Sequence, residues 1–148
     1  MSHKPPSQAM YPPTPLVGVA VLVEHEGAVL LVRRASAPNV GRWSLPGGRV
    51  ELGEPIREAA RREVMEECSV DVDVQELIDV YDYIERDDEG KVRFHYVLVD
   101  FWGAYRSGTP RAASDASQAA WIPIGMLPSY DLTETTRLLL DRAIAHKR

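Results

Sequence analysis

Residues 48–70 read GRVELGEPIREAARREVMEECSV. Pro55 suits the first turn of a helix, where its missing N–H removes no intrahelical bond, and residues 56–68 are helix formers without a breaker. Within that predicted helix Glu63, Glu66 and Glu67 stand at i, i+3 and i+4. At about 100° per residue they fall within an arc of roughly 100°, so three carboxylates share one edge. With Ile56 taken as the centre of the inward stripe, Ala59, Ala60 and Val64 lie within roughly 80° of it, and Glu63 and Glu67 about 20° to either side. The acidic edge therefore overlaps the face that packs on the core, while Glu58, Arg61 and Met65 take the solvent side.

A helix merely solvated and braced by the i, i+4 pairs Glu58–Arg62 and Arg62–Glu66, each worth about 0.2–0.5 kcal/mol, would point its glutamates outward. Like charges crowded beside a core are costly without a cation. Oxygen ligands with no His or Cys on the same edge suit a hard ion, Mg²⁺ with Mn²⁺ as substitute, and Mg²⁺ commonly completes its shell with water and phosphate oxygens. Such an ion can lower the pKa of a bound water and shield an anionic phosphoryl group, the main obstacle to hydrolysing a diphosphate.

Outward from this helix, residues 16–23 and 28–32 are Val- and Leu-rich runs separated by a polar break at 24–27, which predicts a buried hairpin. Residues 38–41 form a loop into a short segment at 43–45, which Pro46-Gly47-Gly48 is expected to end sharply. Beyond the helix, residues 70–74 alternate, 77–84 are strand-like, 86–90 read as a hairpin tip, and 92–102 as a long strand. A further strand is expected around Trp121-Ile122, and Thr133 caps an amphipathic C-terminal helix. The order predicts an α/β fold, a mixed β-sheet packed between helices.

The chain has 148 residues, the size of one domain, with 17 Lys plus Arg against 22 Asp plus Glu and a net charge of −5. It lacks the basic excess that a nucleic acid polymer or anionic membrane would attract, which leaves a small charged ligand as partner. The single Cys68 lies in the predicted helix and reads as a packing residue. No apolar run approaches the roughly 20 residues that span a bilayer, and the start of the chain lacks a signal-peptide centre, so a cytoplasmic location is expected. Residues 1–15 hold five of 11 prolines and are expected to be a mobile or loosely docked arm, with residues 16–148 as the folded domain.

The stretch resembles the Nudix box: Gly48, Glu54, Arg62, Glu63, Val64, Glu66, Glu67 and Val70 fall in its register, and Ser69 stands where the family has glycine. The resemblance implies a Nudix-like α/β/α sandwich and hydrolysis of a diphosphate linkage in a nucleoside diphosphate derivative. It further implies metal ligation by Glu63, Glu66, Glu67 and the Gly47 carbonyl, with Glu63 or a loop carboxylate aiding activation of water. Glu54 and Arg62 would position the glutamates. The patterns at 81–103, 114–128 and 131–136 resemble the ADP-ribose pyrophosphatase group, which favours ADP-ribose as substrate, with AMP and ribose 5-phosphate as products. The alternatives are a nucleoside triphosphate pyrophosphohydrolase, including one for oxidised nucleotides, and a nucleotide-sensing module without turnover. Dimers common in that group, together with the apolar N-terminal strands, suggest a homodimer.

Four arginines flank the loop before the helix. Arg33, Arg34, Arg42 and Arg49 read either as phosphate grips or as surface charge. Asp115 reads either as the extra carboxylate of related enzymes or as a turn former. Trp43, Tyr81, Tyr83, Phe94 and Tyr96 are candidates for base stacking or for packing, and His95 reads as a packed strand residue.

Overall fold

The structure, a computed structural model, describes residues 9–114 and 116–147. Its elements run β1 (Leu16–His25), β2 (Ala28–Arg34), β3 (Trp43–Ser44), β4 (Gly47–Arg49), α1 (Ile56–Cys68), β5 (Asp71–Arg86), β6 (Val92–Ser107), β7 (Ala116–Pro123), a 3-10 turn (Ile124–Ser129) and α2 (Glu134–Lys147). The sheet is mixed, as expected. Its order is β3-β2-β1-β6-β5, with β4 paired to β1 and β7 to β2, and β1 runs parallel to β6 while the remaining pairs within the sheet are antiparallel.

The predicted β1–β2 hairpin exists only at its tip, where Glu24 faces Val29 and His25 faces Ala28. Below the tip the strands part. One edge of β1 pairs with β6 from Leu16 to Val23, and the other pairs with β4 at residues 18–20; β2 turns instead to β7 and β3. The segment from β3 to β4 crosses the gap, with Val21 N–H donating to the Pro46 carbonyl at 3.0 Å. Gly47 and Gly48 are thus paired strand residues and not the sharp stop expected from sequence. They pair because they lack side chains: a Cβ on Gly47 would overlap the Val19 carbonyl, and one on Gly48 would overlap the Glu63 carboxylate.

Alternation along β1 sends Val19, Val21 and Val23 to one face and Ala20 and Leu22 to the other. The first set packs on Ala59, Ala60, Val64 and Cys68 of α1; the second packs toward Leu139, Leu140 and Ala143 of α2. Helices therefore cover both faces, the sandwich that the sequence implied. Most apolar residues of β1 and β2 are taken up by these two cores, with Val17 left 40% exposed. Ile56 departs from the predicted wheel, for it is 40% exposed while Arg57 extends over the Phe101 ring, 4.7 Å from its centroid. The two strands predicted at 70–74 and 77–84 are one strand, β5, whose register on β6 shifts between Val74 and Leu77 and again between Leu77 and Asp79. Extra residues at these shifts break the alternation without ending the strand.

The end of the N-terminal arm is docked. Tyr11 N–H donates to the Arg93 carbonyl at 2.7 Å, and its hydroxyl donates to Asp87 at 2.8 Å, on the β5–β6 hairpin. Residues 1–8 of the arm expected to be mobile lie outside the described residues. At the far end Thr133 caps α2, its hydroxyl accepting the Thr136 N–H at 3.3 Å. No helix among the described residues is long and apolar enough to cross a membrane.

Helix α1 ends on Ser69 at φ 61°, ψ 29°, with its N–H donating to the Met65 carbonyl at 3.0 Å. A non-glycine residue is strained in this left-handed position by about 1–2 kcal/mol, of which glycine's greater unfolded freedom offsets a part. Ser69→Gly is expected to stabilise the fold by about 0.5–1 kcal/mol. Thermal unfolding of the two proteins checks this, and an unchanged or lowered midpoint would contradict it.

Candidate active site

The edge that carries the glutamates meets the edge of β4. Glu63 and Glu67 are buried, at 9% and 8% exposure, and Glu66 is partly buried, although all three are charged helix residues. Glu67 reaches past β4 and accepts the Gly47 N–H at 2.8 Å. The bonds flanking the β1–β4 ladder, Val21 N–H to Pro46 O and Val50 N–H to Val17 O, fix its alternation. Gly48 hydrogen-bonds toward β1, and the N–H and C=O of Gly47 turn away from β1, the N–H onto Glu67.

Arg62 binds this edge together. Its Nε and Nη2 donate to Glu54 at 2.7 and 2.9 Å in a two-pronged pair. Nη1 donates to Glu63 at 2.8 Å and to both oxygens of Glu66 at 3.1 and 3.2 Å, and Nη2 also donates to the Arg49 carbonyl at 3.1 Å. Glu54 accepts the Glu51 N–H at 3.0 Å, which closes the loop before α1. The carboxylates, Glu54 first, raise the Arg62 pKa, so the guanidinium stays charged. Of the i, i+4 pairs considered from sequence, Arg62–Glu66 is made.

The side-chain acceptors at this edge, Glu63, Glu66 and Glu67, are all carboxylate oxygens, the donor type a hard divalent cation takes. Among the described residues no three acidic, His or Cys side chains converge as a ready chelate. As they stand, Glu63 and Glu66 are drawn to Arg62 and Glu67 to Gly47.

A cleft opens from β4 across the α2 face of the sheet. Gly18 and Ala20 of β1 line its floor, and a Cβ at position 18 would press on Leu98 at 2.8 Å. Its walls include Tyr81 and Tyr83 of β5, Tyr96 and Asp100 of β6, and Thr135 and Thr136 of α2. Arg34 and Arg49 line it. Arg33 does not: it points to the opposite side of β2, exposed, and donates to the Gly41 carbonyl at 2.9 Å. Arg42 is engaged elsewhere, donating to the Leu132 carbonyl at 2.8 Å. Asp115 lies outside the described residues. Phe94 is buried in the interior and Trp43 packs edge-on against Tyr130, which leaves Tyr81, Tyr83 and Tyr96 as the aromatic rings of the cleft. His95 is a strand residue opposite Ile84.

With this geometry the sequence can be placed among known proteins. The NUDIX domain model matches residues 12–143. The chain belongs to the Nudix family. It is 35% identical over 114 residues to an ADP-ribose pyrophosphatase of Methanocaldococcus jannaschii, an alignment that covers 77% of this chain and 65% of that protein. The chain thus spans less than two thirds of that relative's length. It is 33% identical over 128 residues to a putative 8-oxo-dGTP diphosphatase of Bacillus subtilis, covering 84% and 77%. The crystal structure of a MutT NUDIX hydrolase from Burkholderia pseudomallei superposes with a TM-score of 0.72 at 32% identity, covering 86% of this chain and 97% of the other. Members of this family act on small nucleotide derivatives and generally use divalent metal ions.

Asp100 was missed by sequence reasoning, though it carried a signal: one carboxylate inside the apolar run VLVDFW. It is 1% exposed, and its Oδ2 has no hydrogen-bond partner. Burial pushes its pKa up to about 7; the Tyr81 hydroxyl opposes the rise and the neighbouring Asp79 adds to it. Since the folded pKa lies above the ordinary carboxylate value of about 4, the folded state holds this proton more tightly. The resulting stability is complete below about pH 4 and is lost as pH rises through 7. Asp100→Asn should therefore match the wild type in thermal midpoint near pH 4 and exceed it increasingly toward pH 8. Midpoints that differ by a constant amount across this range would contradict the assignment.

Proposed function

We propose that the chain hydrolyses the diphosphate linkage of a nucleoside diphosphate derivative, with ADP-ribose as the favoured substrate and AMP and ribose 5-phosphate as products. The observation that carries this reading is the meeting of the Glu63, Glu66 and Glu67 edge with a tyrosine-walled cleft at Gly47. The nucleoside would occupy the cleft, and its diphosphate would lie at the β4 edge. The ADP-ribose pyrophosphatase of the archaeal relative supports the choice of substrate.

In this reading Glu63, Glu66 and Glu67, with the carbonyl of Gly47, hold Mg²⁺ or Mn²⁺. The ion supplies charge that shields the phosphoryl oxygens and makes water more acidic. Arg62 and Glu54 set the glutamate rotamers, so they act as positioning residues. Arg34 and Arg49, on the cleft wall, grip phosphate oxygens. Water attacks phosphorus and the P–O bond to the bridging oxygen breaks, for no side chain at this edge is an evident covalent nucleophile.

Turnover of ADP-ribose is expected to stop in excess chelator and to fall on the order of 10³-fold in Glu66→Gln and in Glu67→Gln, since each change removes a ligand charge while keeping shape. In ¹⁸O-labelled water, mass spectrometry should find the label on one product phosphate. Label on a ribose carbon would overturn attack at phosphorus. The relative named as a putative 8-oxo-dGTP diphosphatase motivates the rival substrate. Release of pyrophosphate from a nucleoside triphosphate, with ADP-ribose inert, would replace ADP-ribose and retain the chemistry; tight binding without turnover of either would replace the enzyme with a sensor.

A further inference from the structure

Asp100 stands in register with the site just described. Ala20 is the Cα partner of Asp100 on one side and of Gly47 on the other, so the three form a row across β6, β1 and β4. Adjacent strands lie about 4.8 Å apart, which places the Asp100 and Gly47 backbones about 10 Å from each other. Glu67 ends the row through its bond to Gly47. Asp100 is on the same floor as the glutamate edge but one nucleoside's reach away from it.

The surroundings of Asp100 do not account for it as a structural group. Asp79 is its Cα neighbour on β5 and is itself answered by Arg142 of α2. The Tyr81 hydroxyl hydrogen-bonds the carboxyl, yet Oδ2, buried just beneath the cleft wall, stays unpartnered. A buried acceptor without a donor is costly, and a ligand bringing an N–H would remove that cost. The tyrosine rings beside it offer flat apolar faces suited to a heteroaromatic ring.

We propose that Asp100 is a specificity-determining residue that reads the nucleobase, its Oδ2 accepting an amino or imino N–H from the base edge. This rests on the reading of the cleft as a nucleotide site. A carboxyl group that titrates near neutrality has two ways to do so: the neutral acid offers a donor beside an acceptor, matching adenine, and the ion offers two acceptors, matching the adjacent N–H groups of guanine.

The test is calorimetric binding of AMP, GMP and ribose 5-phosphate to the full chain in excess chelator, so that it does not depend on turnover. In the wild type at least one of the two nucleotides should bind about tenfold or more tightly than ribose 5-phosphate, the scale of one buried hydrogen bond. In Asp100→Leu that advantage should shrink by about tenfold, the stacking on the tyrosine rings remaining, while ribose 5-phosphate binding is unchanged. Asp100→Asn, the conservative variant, keeps one donor and one acceptor. It should raise the preference for AMP over GMP by about tenfold. An undiminished advantage in Asp100→Leu, no advantage in the wild type, or an unchanged AMP-to-GMP ratio in Asp100→Asn would each overturn the proposal. Failure of the hydrolase reading would appear separately, as base-dependent binding with no hydrolysis of any diphosphate when Mg²⁺ is restored.

Discussion

The Arg62 guanidinium is the constraint on which the site depends. One planar group, fixed by two bonds to Glu54, also holds Glu63, Glu66 and the Arg49 carbonyl. It ties α1 to the loop before it and to the strand that borders the cleft. A lysine could supply the charge but not the fork, because an ammonium has no fixed plane of donors. Burying Glu63 beside a core is tolerable only because its charge is answered over a short distance in a place largely removed from water.

The second constraint is steric. Strand β4 fits between β1 and α1 because Gly47 and Gly48 leave room for the Val19 carbonyl and the Glu63 carboxylate. Either glycine with a side chain would push the strand off β1 or the glutamate out of the edge. The parting of β1 from β2 beyond their shared tip makes the space that β4 enters. Backbone geometry and carboxylate geometry are therefore one problem, solved at two adjacent residues.

Helix α1 and its buried glutamates were legible in the sequence, since a spacing of three and four residues fixes which side chains share a face whatever surrounds them. Strand β4 was not, because paired glycines resemble a turn until the groups that exclude a Cβ are known. The division among Arg33, Arg34 and Arg42 also escaped sequence reasoning: it follows from strand alternation and from loop partners far along the chain, such as the Leu132 carbonyl for Arg42. Asp100 was visible as an anomaly in an apolar strand, but its meaning came from the parallel pairing of β6 with β1, which nothing local announces.

That pairing has a consequence for how the molecule forms. The floor of the cleft joins Ala20 to Asp100, residues separated by most of a domain in sequence, and parallel strands cannot be closed by a tight turn. Contacts of such long range require closure of a large loop before they return any stabilisation, so they slow folding. On a ribosome, β1, β2 and α1 emerge well before β6, and β1 waits with one hydrogen-bonding edge open. The strand that floors the ligand cleft in the finished protein is thus open to mispairing during synthesis.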